Sequence, residues 1–225
     1  DFELFFKSNE YWDKYNVFSG GRIENYKDNK IIFSIGYNNV RGAAQSMDSL
    51  FGKIISVDKT TGEHDIISMG HRNPQGLHYV ESLNLIINTE HGPKGGDEIN
   101  FNYQDNNKFP NYGWDVASYG VDYPTTAEHL KIDYKKSHNK HGFVEPFKYF
   151  TPSIGISEII YVSNEQSLDK KNYLYVASLR GSSIYLLKLK DDLSKIIQED
   201  RIYFSQQRIR DLKYDSKNQI FFIIF

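Results

Sequence analysis

Ser157-Glu158-Ile159-Ile160-Tyr161-Val162, Tyr173-Leu174-Tyr175-Val176 and Ile184-Tyr185-Leu186-Leu187 follow one another along a single stretch that closes near Phe204. Each run is short and rich in Ile, Val, Tyr and Leu, and polar residues separate it from the next. Such side chains suit a pleated surface and such breaks make turns, so the stretch reads as consecutive strands. The same grammar recurs over residues 21–69, with Ile31-Ile32-Phe33-Ser34-Ile35, Ile54-Ile55-Ser56-Val57 and Ile66-Ile67-Ser68-Met69. It returns over 77–118 around Leu85-Ile86-Ile87, and begins again at Ile209 to end in Ile220-Phe221-Phe222-Ile223-Ile224. Turn chemistry is clear at Asp58-Lys59-Thr60-Thr61-Gly62 and at Asp215-Ser216-Lys217-Asn218. No i, i+3, i+4, i+7 stripe is sustained, and Asp192-Leu193-Ser194-Lys195-Ile196-Ile197 suggests one short turn at most. Groups of about four strands closed by polar turns have the spacing of propeller blades or of a sandwich. Residues 119–142 are polar and read as a long excursion between two groups.

The 225 residues suit one domain or a large piece of one, and starting at Asp1 rather than Met suggests a fragment or a processed form. Lys and Arg number 27 against 29 Asp and Glu, a net charge of −2, which argues against a nucleic-acid partner. With Cys at 0, disulfides, thiolate catalysis and Cys-ligated metal centres are excluded. No apolar run approaches a membrane span, and Asp1-Phe2-Glu3-Leu4 lacks the regions of a signal peptide.

Chemistry concentrates in three places. Gly70-His71-Arg72-Asn73-Pro74-Gln75-Gly76-Leu77 gathers a cation, amides and a rigid Pro; its Arg could fork onto a carboxylate or quinone oxygen, or simply be solvated in a tight turn. Thr89-Glu90-His91-Gly92-Pro93-Lys94-Gly95-Gly96-Asp97-Glu98-Ile99-Asn100 offers exposed carbonyls and carboxylates, hard donors that suit Ca²⁺, although the spacing is not that of an EF-hand and a Gly-rich turn with solvated acids fits as well. Arg208-Ile209-Arg210-Asp211 puts two cations on one side of an extended segment, opposite an anion or at a solvated edge. The seven His show no zincin pair, and neither a Gly-x-Ser-x-Gly elbow nor a phosphate loop occurs.

Together with Ala44-Gln45, Phe51-Gly52-Lys53-Ile54, Asn111-Tyr112-Gly113-Trp114 and Pro152-Ser153, these motifs stand in an order that resembles the soluble PQQ-dependent sugar dehydrogenases, the glucose/sorbosone dehydrogenase family of six-bladed β-propellers. The resemblance spans nearly the whole chain and implies an all-β fold covering about four of six blades in one incomplete propeller domain. It also implies PQQ and Ca²⁺ as cofactors, a sugar or related alcohol as substrate, and a periplasmic or secreted setting; a homodimer is compatible with it. By motif, Gly92 and Pro93 would offer carbonyls to a catalytic Ca²⁺, and Glu98 and Tyr112 would help hold a second, structural one. Arg72 and Asn73 would take the quinone oxygens, Arg72 standing with Gln45 at the reacting end. Arg208, Arg210 and Arg180 would pair with the cofactor's carboxylates.

Four departures accompany the resemblance. Where the family carries its proton-accepting His, ahead of Ser19-Gly20-Gly21-Arg22, this chain has Phe18, which cannot take a proton. The family's Gly-Asp reads Gly36-Tyr37, its carboxylate-pairing Lys reads Arg180, and the aromatic that covers the quinone is at best Phe147. An oxidoreductase is therefore the first expectation and a non-catalytic propeller binding a ligand or partner at the same mouth the second. A Ca²⁺-dependent lactonase is a third, for which the carboxylate and amide ligand set is not evident.

Overall fold

The computed structural model describes residues 4, 6–11, 18–104 and 109–225. Among them the regular structure is fourteen strands and four single-turn 3-10 helices. The chain divides into two compact units, Asp1–Pro152 and Ser153–Phe225.

The first unit holds two antiparallel four-stranded meanders. One is β1 (Gly20–Tyr26), β2 (Lys30–Ile35), β3 (Lys53–Asp58) and β4 (His64–Met69); the other is β5 (Pro74–Val80), β6 (Leu85–Glu90), β7 (Asp97–Tyr103) and β8 (Lys148–Phe150). The Ile-rich runs become the buried strands: β3 is buried up to Asp58, and β6 along its whole length. Tyr26, Ile32, Ile54, Leu77 and Ile86 form a shared core between the two meanders. Burying an Ile or Leu side chain stabilises by about 1.5–3 kcal/mol, so this cluster is an apolar tie between the two meanders. The turn after β3 forms as its residues dictate. Asp58 Oδ1 accepts the Thr60 and Thr61 N–H groups at 2.8 and 3.0 Å, and Gly62 takes the positive φ of 73°. Those N–H groups, with Thr61 first, hold the Asp58 carboxyl below its usual range.

The second unit holds β9 (Ile156–Val162), β10 (Tyr173–Ser178), β11 (Ser183–Leu189) and β12 (Ile196–Tyr203) in a third meander, and β13 (Asp211–Asp215) with β14 (Ile220–Ile224) as a two-stranded sheet. Ile160, Val162, Ala177, Ile184, Ile209 and Leu212 form its core, between β9–β11 and β13. The 192–195 segment is a turn that leads into β12.

Two expectations are corrected. The second meander starts at Pro74 and takes its fourth strand from Lys148–Phe150, not from within 77–118. The polar excursion 119–142 therefore lies inside a meander, between β7 and β8, rather than between two. The reason is that β8 pairs through only Lys148, Tyr149 and Phe150 with Ile99, Glu98 and Asp97, too short a run to show an apolar pattern.

Candidate functional site

Residues 70–73 join β4 to β5, and this bend is tied on every side. A Cβ at Gly70 (φ 76°) would lie 2.2 Å from Asn111 Oδ1 and 2.5 Å from the Gly113 nitrogen. Only glycine lets the 111–114 segment approach so closely. Gly70 N–H donates to the Ala44 carbonyl at 3.0 Å, and Trp114 N–H donates to the Gly70 carbonyl at 2.9 Å.

His71 is fully buried, with Nε2 2.8 Å from Ser68 Oγ and Nδ1 3.1 Å from Glu90 Oε1. Arg72 N–H donates to Glu90 Oε2 at 2.7 Å. The Arg72 side chain is 7% exposed: one terminal nitrogen donates to the His91 carbonyl at 3.0 Å, and Nε is buried without a hydrogen-bond partner. Its guanidinium lies 4.3 Å from the Phe18 ring centroid and 5.1 Å from that of Trp114. Burial pulls the Arg72 pKa down and Tyr37 works the other way, but a guanidinium starts so high that it stays cationic. Asn73 Oδ1 accepts Gly20 N–H at 3.2 Å and Gln75 Nε2 at 3.0 Å, and its Nδ2 lies 3.5 Å from His91 Nδ1.

The Gly-rich turn between β6 and β7 is packed backbone on backbone. A Cβ at Gly92 would lie 2.1 Å from the Gly96 oxygen, and one at Gly120 would lie 2.3 Å from the Gly95 oxygen and 2.7 Å from Pro93 Cγ. Gly95 and Gly96 both have positive φ, 80° and 74°.

Glu90 and Glu98 sit directly opposite each other across β6 and β7, and both are buried. Burial works to raise the Glu90 pKa. The His71 charge and hydrogen bond, with the Arg72 N–H, more than offset it and hold Glu90 below the ordinary value. Burial and the Glu90 charge push Glu98 well above its ordinary value. One carboxyl of the pair is thus ionised while the other tends to keep its proton. His138, 1% exposed, brings Nε2 to 3.8 Å from Glu98 Oε1 and stacks on Tyr119; burial lowers its pKa. Tyr112 donates its phenol to the Phe101 carbonyl at 2.9 Å, and burial lifts that phenol far above its usual range.

Arg72, Gly92, Glu98 and Tyr112 line one small cavity, together with Glu90, His91 and Trp114. Pro93 is buried in the adjoining turn. Gln45 is half-buried outside that lining, in a reciprocal amide pair with Asn111 (3.2 and 2.8 Å) and donating also to the Trp114 carbonyl. Phe147 stacks on Phe101 at 4.0 Å.

Arg180, Arg208 and Arg210 belong to the second unit and are exposed. Ile209 between the latter two is fully buried, so they share a face, as alternation requires. Among the described residues, no group of three or more His, Asp or Glu side chains is placed to hold a metal ion, and no helix is long and apolar enough to cross a membrane.

Sequence reasoning did not foresee the aromatic wall around Arg72. Phe18 packs on Tyr37 at 5.3 Å, Tyr37 on Trp114 at 5.3 Å, and Trp114 on Tyr134 at 5.2 Å. Phe18 and Tyr37, two of the departures, thus form one contact. Nor did it give roles to Glu90, His91 or His138; the first two stand in the quoted motif, but only the fold brings them against Arg72.

Comparison with known proteins agrees with this architecture. An aldose sugar dehydrogenase of Escherichia coli K12, YliI, is 28% identical over 208 residues, which are 86% of this chain and 53% of that protein. The chain spans about half the length of the curated relatives it matches. The apo crystal structure of the soluble E. coli aldose sugar dehydrogenase superposes with a TM-score of 0.73 at 27% identity, covering 91% of this chain and 60% of that one. The PQQ-bound form of a Streptomyces coelicolor aldose sugar dehydrogenase shares the fold, with a TM-score of 0.64 at 24% identity over 87% of this chain and 52% of that one. The sheets described above are accordingly blades of a β-propeller. The profile of the glucose/sorbosone dehydrogenases matches residues 1–224, and the chain belongs to that family.

Proposed function

We propose that this chain supplies the core of a PQQ- and Ca²⁺-dependent oxidoreductase that oxidises an aldose or related alcohol. The observation that supports this most is that Arg72, Gly92, Glu98 and Tyr112, which come from three separate motifs, line one cavity.

The donors present suit the two cofactors. The buried Arg72 Nε, which lacks a partner, is a ready donor to a quinone oxygen, and Asn73 stands beside it. Gly92 and Pro93 would offer carbonyls to a catalytic Ca²⁺. A divalent cation near Glu98 and Tyr112 would take the place of the proton that Glu98 holds opposite Glu90. Arg180, Arg208 and Arg210 are assigned to the cofactor's carboxylates, and Gln45 to the substrate end. When bound, PQQ supplies a two-electron acceptor polarised by Ca²⁺.

The chain itself must orient the substrate and accept its hydroxyl proton. Phe18 cannot do so, and His71 has both ring nitrogens engaged with Ser68 and Glu90. His91 is the imidazole in the cavity lining, and the proton is assigned to it. A periplasmic or secreted location, and a homodimer, complete the reading.

A second reading has its own support. Phe18 packs against Arg72 and Tyr37, which makes an apolar wall in place of a base and suits a propeller that binds a ligand or partner without oxidising it.

Adding PQQ and Ca²⁺ and following the bound-cofactor absorbance together with aldose-dependent dye reduction separates the two. The first reading expects both signals, with His91→Gln lowering dye reduction by roughly 10²–10⁴-fold at unchanged absorbance. Absorbance without reduction gives the second reading, and neither signal removes the cofactor from both.

A further inference from the structure

Lys53 is a fully buried lysine at the start of β3. Its ammonium donates to three backbone carbonyls, those of Ala43 (2.9 Å), Ala44 (3.2 Å) and Phe51 (2.9 Å). An ammonium has three protons and no acceptor, so this cage uses its whole donor capacity. The cage is also the hub of the bend that carries Arg72. The Ala44 carbonyl also accepts Gly70 N–H, and the Gly52 carbonyl, next to Phe51, accepts His71 N–H at 3.1 Å. The Ala43–Gln45 turn leads to Gln45, whose amide holds Asn111 and the Trp114 carbonyl. A Cβ at Gly52 would lie 2.5 Å from the Ala44 Cβ and 2.7 Å from the His71 oxygen, so these segments have no slack.

We propose that Lys53 is a positioning residue: its ammonium clamps the segments around Ala44 and Phe51, and through Gly70, His71 and Gln45 sets Arg72 and Trp114 against each other. Calling this pair part of a cofactor site rests on the proposed function; the clamp itself does not.

The clamp is sensitive to pH. Burial brings the Lys53 ammonium down to about 8, with the Glu10 carboxylate acting the other way. Its strand partners Ile35 and Met69 carry no charge. Once neutral, the amine has two N–H groups for three carbonyls. The sign distinguishes positioning from general support. A lysine whose folded pKa is below its unfolded value of about 10.4 makes the fold more stable as pH rises between the two. The clamp loosens as pH rises through the folded value of about 8, where that gain in stability begins.

The test uses the whole chain with Trp12→Phe, so that Trp114 is the one tryptophan, and excites tryptophan selectively over tyrosine. Its emission should change in one step centred at about pH 8, while the urea midpoint does not fall. Lys53→Met should show the alkaline emission at every pH. A wild-type emission that is flat from about pH 6 to about pH 10 overturns the proposal, as does a step that persists in Lys53→Met. If Lys53→Met fails to fold, NMR titration of the Lys53 Cε and the Trp114 indole N–H decides: a common midpoint supports the clamp and separate midpoints overturn it. PQQ absorbance in the same samples bears on the cofactor reading alone, so failure of that reading is seen apart from failure of the clamp.

Discussion

Arg72 and the pair Arg208 and Arg210 stand in short motifs of similar look, and the fold treats them in opposite ways. Arg72, in the first unit, is buried against Phe18 and Trp114, and its backbone and side chain are bound by Glu90 and His91. Arg208 and Arg210, in the second unit, flank the buried Ile209 on an exposed segment whose backbone is held at Ser178 and Ile224. A cation near a motif is thus either part of the architecture or displayed by it. The first kind cannot change without disturbing its neighbours, whereas the second can be removed with the fold intact.

The comparison breaks most visibly at Glu90, which accepts from His71, Arg72 and Asn100 at 3.1, 2.7 and 2.8 Å. Glu90→Ala leaves those donors buried and unpaired and should destabilise by about 3–5 kcal/mol in urea unfolding. The linkage sign can be checked in the same experiment. The Glu90 pKa is depressed on folding, so its stabilisation is present above the unfolded value and is lost as pH falls through the folded one. Glu90→Ala should therefore flatten the acid limb of the stability profile. An unchanged limb would mean that Glu90 does not organise the bend.

Glu98, its partner across the strands, should behave in the reverse sense. Its folded pKa is raised, so the folded chain keeps a proton that the unfolded chain releases, and stability falls as pH rises from the unfolded value through the folded one. Glu98→Gln removes that slope and should stabilise the metal-free chain at neutral pH. With Ca²⁺ the order should invert, because wild type gains stability from binding and the variant gains less. Melting temperatures with and without Ca²⁺ show both effects, and an equal Ca²⁺ gain in the two proteins would remove Glu98 from the metal set.

This contrast also marks what could be read from the sequence. The meanders were legible because Ile, Val and Tyr runs such as Ile31-Ile32-Phe33 fill buried strands, and because Asp58 and Asp215 make their turns through side-chain to backbone bonds that are local in the chain. β8 was not, since Lys148, Tyr149 and Phe150 act as a strand only by pairing with Asp97, Glu98 and Ile99. The Gly-rich turn was legible as a place of close approach. Its partner Gly120 was not, because that contact joins segments remote in sequence. The loss of a base at Phe18 could be inferred by comparison with the family's pattern; that Phe18 and Tyr37 would together wall in Arg72 could not. Lys53 stands in the sequence only as part of Phe51-Gly52-Lys53-Ile54, and its three carbonyl partners exist only in the folded chain.

The smallest expected effect on stability is at the displayed arginines, and it sharpens the comparison most. Arg208→Ala and Arg210→Ala remove exposed side chains while Ile209 stays buried, so each should alter unfolding stability by no more than about 0.5 kcal/mol. If they pair with the carboxylates of PQQ, each should still weaken cofactor binding, by roughly 10-fold or more for a lost charge-assisted contact worth about 1.5–3 kcal/mol. Arg→Lys at either position should recover only part of the loss, because a point charge replaces a fork. Added salt should weaken wild-type binding more than that of the double Ala variant, since exposed charges are screened. Stability unchanged with affinity lowered is the signature of residues that serve a ligand, and Arg72, whose removal disturbs both, cannot give it. Unchanged affinity in both variants would leave the pair as a solvated edge and confine the cofactor contacts to the first unit.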